Sequence, residues 1–205
     1  MPDNARTALK TLYESAIVRA AAAFAVVALG ASWMISGSPP RVEGDRMSFS
    51  GVDLEGRTVS LGERRFAGKV VLVDIWGTWC PPCLATIPML VDFQKRYGPQ
   101  GFEVIGVEFA EGFSGTREEY IEYLRGWVKE RGINYTVVQG GVIGEVQQFF
   151  PDLKSFQSYP TTIVIGRDGT VRSIQEGYGP NVERELDTLI GKLLRERLPA
   201  SATAN

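Results

Sequence analysis

The chain has 205 residues, 44% hydrophobic and 22% charged, with a net charge of −2. That suits one globular domain plus an extension, or two small domains. The near balance of charge, with no long like-charged run, excludes electrostatic capture of nucleic acid. Histidine is absent and cysteine occurs only twice. The commonest metal ligand and general base are therefore missing, and a cysteine-dense disulfide scaffold is excluded.

Residues 1–15 are mixed and polar. Ala20 to Pro40 then carries no charge. As a helix at 1.5 Å per residue it would span about 31 Å, enough for a bilayer core. The stretch is alanine-rich, and Ser36-Gly37-Ser38-Pro39-Pro40 would break a helix. The helix is therefore placed at 16–36, with Arg19 snorkelling to the interface. A retained signal anchor and a cleaved signal peptide compete for this segment. The long polar start favours the anchor, and the small residues Ala28-Leu29-Gly30 suit cleavage. Either one exports the domain C-terminal to it. A core helix is the weakest reading, because no polar face is present. Basic residues before the segment keep the N-terminus in the cytoplasm.

Residues 37–46 read as a flexible linker. Ser48 to Leu61 holds two short alternating runs around Glu55-Gly56, a hairpin pattern. Val70–Ile75 is an apolar strand that runs into Trp76-Gly77-Thr78-Trp79-Cys80-Pro81-Pro82-Cys83. A helical pattern continues to Tyr97 and ends at Gly98-Pro99. Phe102–Phe109 is a strand. Thr116-Arg117-Glu118-Glu119 is a capping box that opens a helix ended by Gly132. Tyr135–Val138 is a short strand and Glu145–Phe150 a short helix. Thr161–Ile165 and Val171–Gln175 are strands joined at Gly166-Arg167-Asp168-Gly169. Asn181 is expected to cap the last helix, and residues 199–205 to form a disordered tail. The alternation predicts an α/β sandwich with a mixed central sheet over residues 47–198.

The two cysteines sit where a buried strand becomes a helix. A Cys80–Cys83 bridge closes so short a loop that chain entropy gives it only about 2 kcal/mol. The pair is poorly placed for stapling and well placed for exchange. Cys80 falls at the helix start, where free amides and the dipole favour its thiolate, so it is the expected nucleophile, with Cys83 resolving. Pro81 and Pro82 remove two donors, which predicts a Cys80 pKa only modestly lowered. Half a zinc site would need further ligands that the chain lacks. Asp74, in an apolar strand, is costly unless it has a role. Burial would raise its pKa and let it relay a proton to or from Cys83. A hydrogen-bonded structural Asp is the alternative.

Val73-Asp74-Ile75-Trp76-Gly77-Thr78-Trp79-Cys80-Pro81-Pro82-Cys83 resembles the active-site segment of thioredoxin-fold proteins. Ser158-Tyr159-Pro160-Thr161-Thr162 resembles their cis-proline loop. With the leading hairpin, the export segment and the Thr116–Arg131 helix, the chain resembles the membrane-tethered TlpA/ResA group of thiol-disulfide oxidoreductases. The resemblance implies that Pro160 is cis against the disulfide and that the Tyr159 backbone pairs with a substrate strand. It implies that Trp79 shields Cys80 and shapes the docking surface. Trp76, Pro81 and Pro82 frame the site, and Pro88 matches a helix-kinking proline. ResA-like proteins often carry a glutamate three residues after the second cysteine. Here that position is Thr86, which moves the proton-relay expectation to Asp74.

The function so implied is disulfide reduction outside the cytoplasm, on specific protein substrates such as cytochrome c precursors. Electrons would come from a membrane thiol-electron donor. No metal and no cofactor beyond the Cys80–Cys83 disulfide is expected. The location implied is the bacterial cell membrane, single-pass, with the domain on the periplasmic side, or a soluble exported form after cleavage. A net oxidant or isomerase is one alternative. A non-catalytic binding module using the Tyr159–Pro160 loop is another.

Overall fold

The computed structural model describes residues 44–154 and 156–197. The predicted membrane or signal segment and the tail from 199 lie outside the described residues. Among the described residues no helix is long and apolar enough to cross a membrane.

A short antiparallel hairpin comes first, β1 (Ser50–Val52) and β2 (Thr58–Ser60). Its turn is built by Asp53. One carboxylate oxygen accepts the backbone N–H groups of Glu55 and Arg57, and the other accepts Arg57 Nε at 2.8 Å. The main sheet has the order β5-β4-β3-β6-β7. β3 (Val70–Trp76) is central, and β4 (Phe102–Ala110) and β5 (Thr136–Val142) run parallel to it. β6 (Thr161–Ile165) lies antiparallel on its other side, and β7 (Val171–Glu176) pairs with β6. The helices are α1 (Pro81–Tyr97), α2 (Arg117–Glu130), a single turn α3 (Val146–Phe149) and α4 (Val182–Leu194). This is a thioredoxin-like α/β fold.

The near-continuous apolar run of β3 reflects burial on both faces. Val70, Leu72 and Trp76 join one core with Ile87, Leu90 and Phe93 of α1, Leu124 and Trp127 of α2, and Leu186 and Ile190 of α4. Val71, Val73 and Ile75 join the other, with Phe49, Val59, Phe66 and Phe150. Successive side chains on β3 thus alternate between two packed layers.

Two expectations are corrected. Asn181 precedes α4 but makes no capping hydrogen bond. Its backbone is helical, at φ −102 and ψ −14, whereas a capping residue is normally extended. Its carboxamide oxygen instead accepts Arg184 Nη2 at 2.8 Å. β5 also runs four residues past the expected Val138. Gly140 and Gly141 carry it alongside a bulge between Glu108 and Phe109, and a Cβ on Gly140 would lie 2.7 Å from the Phe109 ring. Side-chain patterning is blind to such a stretch, because glycine presents no side chain.

Candidate active site

The parallel strand β3 delivers the chain to the carboxyl edge of the sheet, where α/β folds place their chemistry. Gly77-Thr78-Trp79 links it to α1, whose N-cap is Cys80. Gly77 is required there, since a Cβ would meet Trp79 Nε1 at 2.4 Å and the Phe109 carbonyl at 3.0 Å. Trp79 Nε1 donates to that same carbonyl at 2.8 Å. Pro81 and Pro82 occupy the first turn of α1 and are exposed. Their missing N–H groups fall where no intrahelical acceptor exists.

Cys80 and Cys83 are joined in a disulfide with their Cα atoms 5.3 Å apart. Cys80 Sγ also accepts the Cys83 N–H at 3.3 Å, the one capping bond the two prolines leave in reach. Cys80 is 3% exposed and Cys83 1%. The helix start is open at its prolines but less so at Cys80 itself, because Trp79 and Tyr159 pack against the same cluster.

Register brings the second half of the site into place. Ile75 of β3 pairs antiparallel with Thr161, the first residue of β6. The loop before β6 must then lie across from the end of β3. Its Tyr159–Pro160 bond is cis. The Tyr159 ring stands edge-on to Trp79, centroids 5.0 Å apart, and contacts Phe109 and Phe156 as well. Trp79, Tyr159 and Pro160 thus meet beside the disulfide's helix start.

Asp74 lies two residues before Trp76 and so on the same face, the one that carries Cys83. It is 1% exposed, and neither carboxylate oxygen has a hydrogen-bond partner. Burial pushes its pKa up to about 8. Gly106, its register partner on β4, leaves space that a Cβ would fill at 2.9 Å from Trp76 Nε1 and 3.1 Å from the Tyr135 ring. Trp76 Nε1, Tyr135 Oη and Thr162 Oγ1 are all buried without partners, and Thr162 is the residue opposite Asp74 on β6. Burial, and then the Asp74 charge, holds the Tyr135 phenol well above its usual range. The carboxyl is therefore buried among donors that could serve its ionised form. A carboxyl of this kind can hold a proton at neutral pH and release it.

The comparisons with known proteins agree with this geometry. Residues 41–190 match the Redoxin family. The chain belongs to the redoxin family. ResA, a thiol-disulfide oxidoreductase of Bacillus thuringiensis subsp. konkukian, is 28% identical over 148 residues, 71% of this chain and 75% of the relative. ResA of Bacillus subtilis is 26% identical over 133 residues, 65% of this chain and 66% of the relative. Among solved structures, a thioredoxin-family thiol:disulfide interchange protein of Chlorobium tepidum superposes with a TM-score of 0.58 at 26% identity. It covers 77% of this chain and 99% of that one. This redoxin is a ResA/TlpA-like thiol-disulfide oxidoreductase.

Thr86, the position at which the resemblance placed a glutamate, is buried, and its hydroxyl donates to the Cys83 carbonyl at 2.7 Å. It satisfies its own helix and offers the redoxin site no ionisable group. A different carboxyl, missed in the sequence, does reach the site. Glu108 of β4 is paired in register with Trp76 and is 0% exposed. One of its oxygens accepts Tyr120 Oη at 2.6 Å and the Thr78 N–H at 3.4 Å. The other has no partner. Burial pushes its pKa up to about 7, against the lowering effect of those two donors. The signal was present, since Glu108 interrupts an apolar strand as Asp74 does. Among the described residues no group of three or more Cys, Asp or Glu could hold a metal ion.

Proposed function

We propose that this redoxin reduces disulfides of specific protein substrates outside the cytoplasm, with cytochrome c precursors as the substrate class. The observation that carries the exchange chemistry is the Cys80–Cys83 disulfide at the start of α1, beside the cis Tyr159–Pro160 bond. Cys80 thiolate attacks the substrate disulfide and expels one substrate thiolate. The mixed disulfide so formed is attacked by Cys83, which releases the second substrate thiol and closes the Cys80–Cys83 bond. Two electrons pass to the substrate, and a membrane thiol-electron donor restores the dithiol. Asp74 takes the proton from Cys83 as it becomes the attacking thiolate. Trp79 covers Cys80, and the Tyr159 backbone offers hydrogen bonds to an extended substrate segment. Trp76, Pro81 and Pro82 hold the helix start in place.

The similarity to ResA proteins supports the substrate class. The uncharged stretch from Ala20 supports a membrane tether with the domain on the periplasmic side. The test is Cys83→Ser in the native host. Mixed disulfides should accumulate on Cys80, and mass spectrometry of the trapped partners should return cytochrome c precursors. Cys80→Ser should trap none and lose insulin reduction. A folded, exported Cys83→Ser protein that traps nothing would show a binding module instead. A Cys80 pKa below about 5 would contradict the weak thiolate stabilisation expected beside two prolines.

A further inference from the structure

The tip of β4 grips the segment that leads into the cysteines at two successive residues. Phe109 does so through its carbonyl, which accepts Trp79 Nε1. Glu108 does so through its side chain, which accepts the Thr78 N–H at 3.4 Å. Thr78 is two residues before Cys80, and two residues of chain span at most about 7 Å. The Glu108 carboxylate therefore lies within about 10 Å of the Cys80 backbone, inside the protein. Nothing in the exchange mechanism uses it.

A buried carboxylate with one oxygen unpartnered is an expensive feature unless its charge does something. The groups that face it can be named from every packed element. From α2, Tyr120 donates to it, and Tyr123 stands beside Tyr120. From the loop before β6 comes Tyr159, whose phenol is pushed up to about 12 by burial and then by the Glu108 charge. From β3 come Trp76, its register partner, and Asp74 two positions earlier on the same face. From β5 comes Gln139, its register partner on that side, and just before β5 comes Tyr135, beside Asp74. Among the described residues no lysine or arginine forms an ion pair with Glu108. Its surroundings are phenols, an indole, a backbone amide, the Gln139 carboxamide and another carboxyl, so no cation neutralises it.

We propose that Glu108 is a second carboxyl of the redox site, a positioning residue that holds the Thr78–Trp79 segment and whose charge opposes the thiolate of Cys80. When Glu108 is protonated, Cys80 ionises against no neighbouring charge on this side. When Glu108 is ionised, the thiolate forms beside a like charge and less of it is present. Substrate attack, which needs the thiolate, then rises with pH in two stages rather than one. The two neutral donors act on the same balance. Tyr120 holds the carboxylate down, and the Thr78 amide ties its charge state to the placement of the segment entering Cys80.

The inference rests on Cys80 being the attacking thiol. Its test is the rate of iodoacetamide alkylation of the reduced full chain between pH 5 and 9, with the labelled cysteine identified by mass spectrometry. Labelling of Cys83 first would contradict the proposed nucleophile and would leave Glu108 acting on no attacking thiol. With Cys80 labelled, the parent profile should show a shoulder near pH 7. Glu108→Gln keeps an oxygen for Tyr120 and Thr78 but removes the charge. It should lose the shoulder near pH 7 and alkylate about three- to tenfold faster between pH 7 and 8. Tyr120→Phe removes a donor to the carboxylate and should move the shoulder to higher pH. A folded Glu108→Gln protein whose profile keeps the parent shape, or is merely displaced in parallel at every pH, overturns the proposal. Should Glu108→Gln fail to fold, Tyr120→Phe decides the matter, and a shoulder left in place overturns it equally.

Discussion

Among the described residues three acidic side chains are buried, and their partners separate their roles. Asp53 spends both oxygens on the hairpin turn, on two backbone amides and the Arg57 guanidinium. Asp74 has no partner, and Glu108 has donors on one oxygen only. An isolated acidic residue in an apolar strand was enough to single out Asp74, and the same reasoning applies to Glu108. What the sequence withheld was register: only the parallel pairing of Trp76 with Glu108 brings that side chain under the active-site segment. Asp74 also makes stability depend on pH. Its folded pKa of about 8 lies above the unfolded value near 4. Between these values the folded state keeps a proton that the unfolded state releases. The fold is therefore favoured below about pH 4 and loses stability as pH rises from there through 8. Asp74→Asn removes this dependence. In urea unfolding its stability relative to the parent should rise with pH by at most about 1.4 kcal/mol per unit up to pH 8. Glu108, raised in the same direction to about 7, should leave a residual slope in that variant. A stability difference independent of pH would show that Asp74 is charged throughout. The same variant should slow exchange and change its pH–rate profile; an unchanged profile would remove Asp74 from the proton relay.

At the scale of elements, patterns of side chains were legible and backbone detail less so. The capping box that opens α2 is present in full. Thr116 Oγ1 accepts the Glu119 N–H at 3.2 Å, and Glu119 Oε2 accepts the Thr116 N–H at 2.7 Å. Strand β3 and helix α1 could be placed because their apolar spacing is dictated by two packed layers. The end of β5 could not, because glycines and a bulge set it, and Asn181 could not, because Arg184 competes for its side chain. The α2 cap has a consequence at the site. Tyr120 comes directly after it and reaches Glu108 from the first turn of the helix. Thr116→Ala should cost about 1 kcal/mol in urea unfolding. It should also fray the first turn, so amide exchange should quicken at residues 118–120 more than at Leu124 or Trp127. Equal protection along the whole helix would mean that packing of Tyr120 against Phe113, ring centroids 4.7 Å apart, holds the turn without its cap.

At the scale of the whole molecule, folding thermodynamics can read the direction of electron flow. The disulfide is linked to the fold through a cycle: the pair is a reductant when oxidation stabilises the folded protein, and an oxidant when reduction does. Chain entropy for residues three apart in sequence contributes only about 2 kcal/mol in favour of the oxidised form. Against it stands whatever stabilises the Cys80 thiolate in the reduced form. Cys80 has the Cys83 amide and the start of α1, but two prolines in place of further donors. Of the two raised carboxyls on its half of the sheet, Asp74 stays mainly protonated at pH 7, while Glu108, near its midpoint there, opposes added negative charge. The balance favours the oxidised fold by a modest amount. Urea unfolding at pH 7 of the oxidised and the dithiol protein should therefore differ by about 2 kcal/mol, the oxidised form being the more stable. A dithiol form more stable than the disulfide form would reverse the cycle. It would make this redoxin a net oxidant, and its substrates would be thiols awaiting a bond rather than disulfides awaiting reduction.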